Sequence, residues 1–134
     1  MAAQHICCVK NDPRRSTTTR LATSPAGLAA ARYHSVRRAF PSDAALAQAL
    51  RVDRSRVTRW KRGESPSPHH AEQLLRLDAV VSLLAGFLEP AVVPDWLHGT
   101  NAHLGHRRPL DVLRQGRLSE VIAAIEAERS GAFA

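Results

Sequence analysis

The chain has 134 residues and a formal net charge of +7, with 44% hydrophobic but only 4% aromatic residues. That length suits one domain, or one small domain with an appendage, and the scarcity of aromatics predicts a core of Leu, Val and Ala in packed helices. No apolar run reaches the eighteen or so residues of a membrane span. The N-terminus lacks a secretory apolar region, so a cytoplasmic, all-α protein without membrane contact is expected. The charge is uneven: +6 over residues 1–40, +3 over 41–68 and −2 over 69–134. A nucleic-acid partner is therefore sought in the first half and a protein partner in the second.

Residues 1–24 are polar and basic with no periodic apolar stripe, and read as a flexible basic arm suited to phosphate contact. Cys7 and Cys8 are adjacent and cannot staple a loop, and with His5 they lack the further ligands of a metal site. Ser24 and Pro25 open a helix whose inward face is read as Leu28, Ala31 and Val36, with Ala29 and Tyr33 beside it. Arg32, Arg37 and Arg38 line the other side, and Pro41 ends the element.

Residues 42–63, SDAALAQALRVDRSRVTRWKRG, read as two short helices joined by a tight turn. Ser42 or Asp43 caps the first, and Leu46, Ala47 and Leu50 share one face, with the small Ala47 suited to a close helix crossing. Asp53 caps the second, in which Val57 and Trp60 turn inward. Arg54, Ser55, Arg56, Thr58, Arg59 and Lys61 are then the candidate DNA-contacting set: guanidinium groups read guanine edges bidentately, and hydroxyls bond bases or phosphates. The plainer reading is an amphipathic hairpin with a solvated basic face. Arg51 stands in the turn where a positive φ is common and glycine the usual occupant, at a cost of about 1–2 kcal/mol.

A Gly/Pro/Ser break precedes Ser67 and Pro68, which open a long helix with a stripe of Leu74, Leu77, Val81, Leu84 and Leu88, widened by Leu75, Val80 and Phe87. So broad an arc predicts either packing between the two halves or self-association. Pro90 and Pro94 confine the next segment to a helical turn or two. The stretch WLHGTNAHLGHRRPLDVL reads as a structured loop anchored by Trp96, Leu97 and Leu104. His98, His103 and His106 lie close together, but no cysteine or paired carboxylate completes a zinc set. Pro109 starts a helix closed by Gly116, and a last helix carries Leu118, Val121, Ile122 and Ile125 up to Gly131. No nucleophile–base–orienter set is present, so neither catalysis nor a cofactor is expected.

The loop with Trp96, Asn101, Leu104, Gly105, Pro109 and Leu110, the amphipathic helix after it and the Gly-x-Phe ending resemble the toxin-binding domain of the Xre–MbcA–ParS antitoxins. In that family an Xre-like helix-turn-helix precedes this domain, the order seen over residues 25–134. The basic arm at 1–24 departs from a minimal family member, and the resemblance implies a helix-turn-helix domain at 25–68 and a toxin-binding domain at 69–134. It also implies a RES-domain toxin as partner, an ADP-ribosyltransferase-like protein that depletes NAD, together with autorepression at operator DNA and assembly as a homodimer or a higher hetero-oligomer with the toxin. Trp96, Asn101, Leu104, Arg107, Arg108, Glu128, Gly131, Phe133 and Ala134 are the corresponding toxin-binding candidates, with Phe133 and the terminal carboxylate offered to the NAD pocket. The alternative is a stand-alone helix-turn-helix repressor whose C-terminal half only dimerises.

Overall fold

The computed structural model describes residues 25–131. The basic arm at 1–24, the Ser24 cap, Phe133 and Ala134 lie outside that range. Among the described residues seven α-helices follow in order: α1 Pro25–Arg38, α2 Asp43–Leu50, α3 Arg54–Lys61, α4 Pro68–Ala85, α5 Val93–His98, α6 Pro109–Arg114 and α7 Leu118–Gly131, with a 3-10 turn at Ala102–Leu104. Among the described residues there is no strand, and one isolated bridge pairs Asn101 with Arg107. The protein is all-α.

Helix α4 is the axis of the fold. Ser67 Oγ accepts from His70 N–H at its start and Pro68 occupies the first turn, where a missing amide is tolerated. Helix α1 runs along one side of α4, and α5, α6 and α7 pack on the rest. The buried positions Leu74, Leu77, Val80, Val81 and Leu84 therefore face both halves of the chain. The helix stops at Ala85, so Leu88 lies beyond it, and Leu75 is exposed. Because the chain itself covers Leu77, Val81 and Leu84, that stripe supplies no self-association surface.

The face of α1 differs from the expected one. Ala29, Tyr33 and Val36 are buried, with Phe40 just past the helix, while Leu28 is 42% exposed and Ala31 also faces solvent. The spacing 29, 33, 36 is helical, and the partner helix rather than the most apolar residue selects the stripe. Arg37 fixes the corner that follows: its guanidinium donates to Phe40 O at 2.8 Å and to the Asp43 carboxylate. That hydrogen bond holds the Asp43 carboxyl below its usual value.

Ser42 Oγ caps α2 by accepting from Ala45 N–H at 3.1 Å. At the other end Arg51 adopts φ 53°, ψ 48°, while Arg51 N–H donates to Gln48 O and Val52 N–H to Ala47 O. This is a helix-stopping turn of the Schellman type, built here without glycine. It leaves Ala49 O, which is served from the far half: Arg114 donates to it through Nε at 3.0 Å and Nη2 at 2.8 Å. Asp111 holds Arg114 at 2.6 Å and lies 3.8 Å from Arg51. Burial, and then Arg51, pull the Arg114 pKa below the usual arginine value. One cluster of buried side chains runs from Tyr33 and Leu46 through Trp60, Leu77 and Leu84 to Leu97, Leu110 and Ile125.

Candidate functional site

Two surfaces carry the candidate residues. On α3, Val57 and Trp60 are buried, and Trp60 meets the Tyr33 ring edge-on at 6.4 Å between centroids. With that side anchored, Arg54, Ser55, Arg59 and Lys61 are exposed, whereas Arg56 and Thr58 are half-buried. Asp53 occupies the N-cap position of α3, yet its side chain makes no capping bond. Several of the candidates already have internal partners. The Thr58 hydroxyl donates back to Arg54 O at 3.1 Å, Lys61 lies 3.8 Å from Asp43, and Arg59 lies 3.9 Å from Glu64. Both ion pairs are long and their cations are exposed, so they constrain the cations weakly.

Sequence reasoning did not find His70. Its Nδ1 is 2.6 Å from Ser67 Oγ and 3.5 Å from a terminal nitrogen of Arg56, and its ring stacks obliquely on Trp60. Burial, then Arg56, push its pKa below the usual histidine value. Arg51, Val52, Asp53, Arg56 and His70 line one polar concavity beside the turn. No local periodicity links His70 to Arg56, fourteen positions earlier in the chain.

The second surface is the loop between α5 and α6 together with α7. Asn101, buried at 7% exposure, organises it. Its Oδ1 accepts from His103 N–H at 2.8 Å, its carbonyl accepts from Leu104 N–H and His106 N–H, and its own N–H donates to Arg107 O. Its Nδ2–H donates to one carboxylate oxygen of Glu128, and Trp96 Nε1–H donates to the other at 2.7 Å. Leu97 and Leu104 are buried beneath the loop, as expected of anchors. Gly105 and His106 follow one another in the left-handed region, at φ 65° and 60°.

Arg107 closes the loop by donating to Leu104 O at 2.7 Å and to Glu120 at 2.8 Å, and Arg117 reaches the same carboxylate at 3.2 Å. The hydrogen bond from Arg107 holds the Glu120 carboxyl below its usual value. Arg108 is exposed at the N-cap of α6, and Gly131 is exposed at the last position of α7. His98, His103 and His106 are exposed as well. Among the described residues no three His, Cys, Asp or Glu side chains converge to hold a metal, and no helix is long and apolar enough to cross a membrane.

Comparison with known proteins bears on the second surface. The model of the antitoxin Xre/MbcA/ParS C-terminal toxin-binding domain matches residues 82–131. The "Probable mycobacterial cidal antitoxin Rv3188" of Mycobacterium tuberculosis is 33% identical over 88 residues, 66% of this chain and 76% of that protein. The mycobacterial cidal antitoxin MbcA of Mycobacterium bovis is 33% identical over 78 residues, 58% of this chain and 69% of its own length. No solved structure gives a significant match. The loop organised by Asn101, the Trp96–Glu128 pairing and α7 all fall within the matched toxin-binding domain, and the chain belongs to the Xre/MbcA/ParS antitoxin family.

Proposed function

We propose that this antitoxin binds and blocks a RES-type, NAD-degrading toxin through its C-terminal half and represses its own operon through α3. The observation that carries the reading is the coincidence of the toxin-binding domain match with the loop surface that presents Trp96, Arg107 and Arg108, while Asn101 and Leu104 are buried and support it from beneath instead of contacting a toxin. Exposed His103, His106 and Arg108 give that surface a polar, cationic rim, which sets orientation and encounter rate more than affinity. Gly131, Phe133 and Ala134 are proposed to enter the toxin's nucleotide cleft, with the Phe133 ring supplying apolar contact. Support for the DNA role is the exposure of Arg54, Ser55, Arg59 and Lys61 on one helix whose opposite side is anchored by Val57 and Trp60.

Co-expression with the adjacent reading frame, followed by purification and an assay of NAD loss, tests the toxin role. A stable complex without NAD loss is expected, and removal of residues 131–134 should restore NAD consumption. Failure of the wild-type chain to capture or silence a RES-type protein sinks the reading and leaves the stand-alone repressor. The DNA role is tested by electrophoretic shift on the operon's own promoter. Arg56→Ala with Arg59→Ala should weaken binding and reduce the salt slope by about two, roughly one for each phosphate that is no longer neutralised. Unchanged binding and slope would take α3 off the DNA.

A further inference from the structure

Glu128 stands where an acid is unfavourable, in the last turn of α7 beside the negative end of the helix. Its carboxylate is nevertheless fully engaged, one oxygen with Trp96 Nε1–H on α5 and the other with Asn101 Nδ2–H in the loop. These partners lie 32 and 27 positions earlier in the chain. The indole N–H can only donate, so it needs an acceptor at this place. Charge-assisted bonds to a carboxylate are about twice as strong as neutral ones. Asn101 passes the restraint on, because its Oδ1 and carbonyl fix His103, Leu104 and His106.

We infer that Glu128 is a positioning residue: it does not touch the toxin, but clamps α5 and the 99–108 loop onto α7 in the shape that the toxin recognises. The inference rests on the toxin-binding reading above and gives Glu128 a role other than direct contact. It predicts that the geometry of the clamp matters, and not the location of the charge.

A charge swap separates the two. Glu128→Gln keeps one acceptor oxygen and replaces the other with a donor, so one of Trp96 and Asn101 loses its partner. Asn101→Asp places two carboxylates face to face. Combined, the substitutions reverse donor and acceptor in that bond, leave an oxygen for Trp96 and another for His103 N–H, and keep the net charge. Each single change should weaken capture of the adjacent-frame RES-type protein by about tenfold or more, and should speed amide exchange at His103, Leu104 and His106 in the free chain. The double change should restore both to within about threefold, since the pair then acts as one unit. Weakened capture with unchanged loop exchange, or no rescue by the folded double variant, overturns the inference and makes the carboxylate a toxin contact. Should the double variant fail to fold, Glu128→Ala decides: faster loop exchange with weaker capture and an intact helical spectrum supports the clamp, and unchanged exchange overturns it. A wild-type chain that captures no toxin sinks the functional reading, whereas a wild-type complex that tolerates Glu128→Ala sinks only the positioning role.

Discussion

Among the described residues, two turns place a non-glycine residue in the left-handed region, Arg51 between α2 and α3 and His106 between α5 and α6. They are braced in opposite ways. The His106 turn is held from within, by an asparagine five positions earlier whose backbone and side chain bond four other residues of the same loop. The Arg51 turn is short and makes two backbone bonds of its own. Its remaining support comes from Arg114, 65 positions away, on the carbonyl of Ala49. The loop carries most of its own scaffold and takes from α7 the acceptor for Asn101 and the partner for Arg107. A turn braced from another element depends on how that element sits.

The sharpest way to break this contrast is Asn101→Ala, which removes the side-chain part of the inner scaffold, leaves Glu128 short of a donor and frees the His103 amide. It should cost about 3 kcal/mol in chemical denaturation, because a buried hydrogen-bonded group is removed and its partners are stranded. Next comes Arg114→Ala, which strips the outer brace. A loss of about 1.5 kcal/mol is expected, the guanidinium being partly exposed, with faster amide exchange at Arg51 and Val52 and none at His103. If exchange rises equally in both turns, they are not independently supported. Relief of the left-handed strain is smaller and of opposite sign: Arg51→Gly and His106→Gly should each stabilise by up to about 1 kcal/mol. The gain should be smaller at Arg51, which also loses its long pair with Asp111.

Acid sensitivity is the weakest effect. The carboxyls of Asp43 and Glu120 lie below their ordinary values of 3.8 and 4.5, each chiefly through a hydrogen bond from arginine. A depressed folded-state pKa means that the stabilisation is fully present above the unfolded value and is lost as the pH falls through the folded one. Denaturation midpoints measured downward from pH 5 should therefore fall, and Asp43→Asn should flatten that slope while lowering the plateau. An unaltered slope would remove the Arg37–Asp43 corner from the pH response.

Much of the helical layout was legible because its signals are local. Ser42, Ser67, Pro68, Pro109 and Gly116 mark helix ends within a turn of where they act, and Val57 and Trp60 show the inward side of α3 by spacing alone. The positive φ of Arg51 was readable from its place in the turn. What escaped was set by distant partners. Leu28 looks like a core residue until α4 is seen to select Ala29, Tyr33 and Val36 instead. The arc of α4 left packing between the two halves and self-association both open, because the helix that lies along one side of it, α1, comes from the basic half. Within the matched C-terminal domain, Trp96, Asn101 and Glu128 each stood out as candidates, but the convergence of the first two on the Glu128 carboxylate has no periodicity to betray it.

The Arg114 bridge has a consequence for how this molecule can be cut and rejoined. Fused or trimmed variants are usually planned along compositional seams, and residue 68 looks like one. A fragment ending there would leave α2 with a carbonyl whose guanidinium partner has been discarded, and α1 with a bare apolar flank where α4 had lain. Transplanting the helix pair onto another protein thus requires a donor and a covering helix from the new host. On the proposed toxin-binding reading, exchange of specificity between relatives is better attempted within residues 96–108, most of whose scaffold travels with the graft, provided that the acceptor for Trp96 and Asn101 is carried along on the last helix.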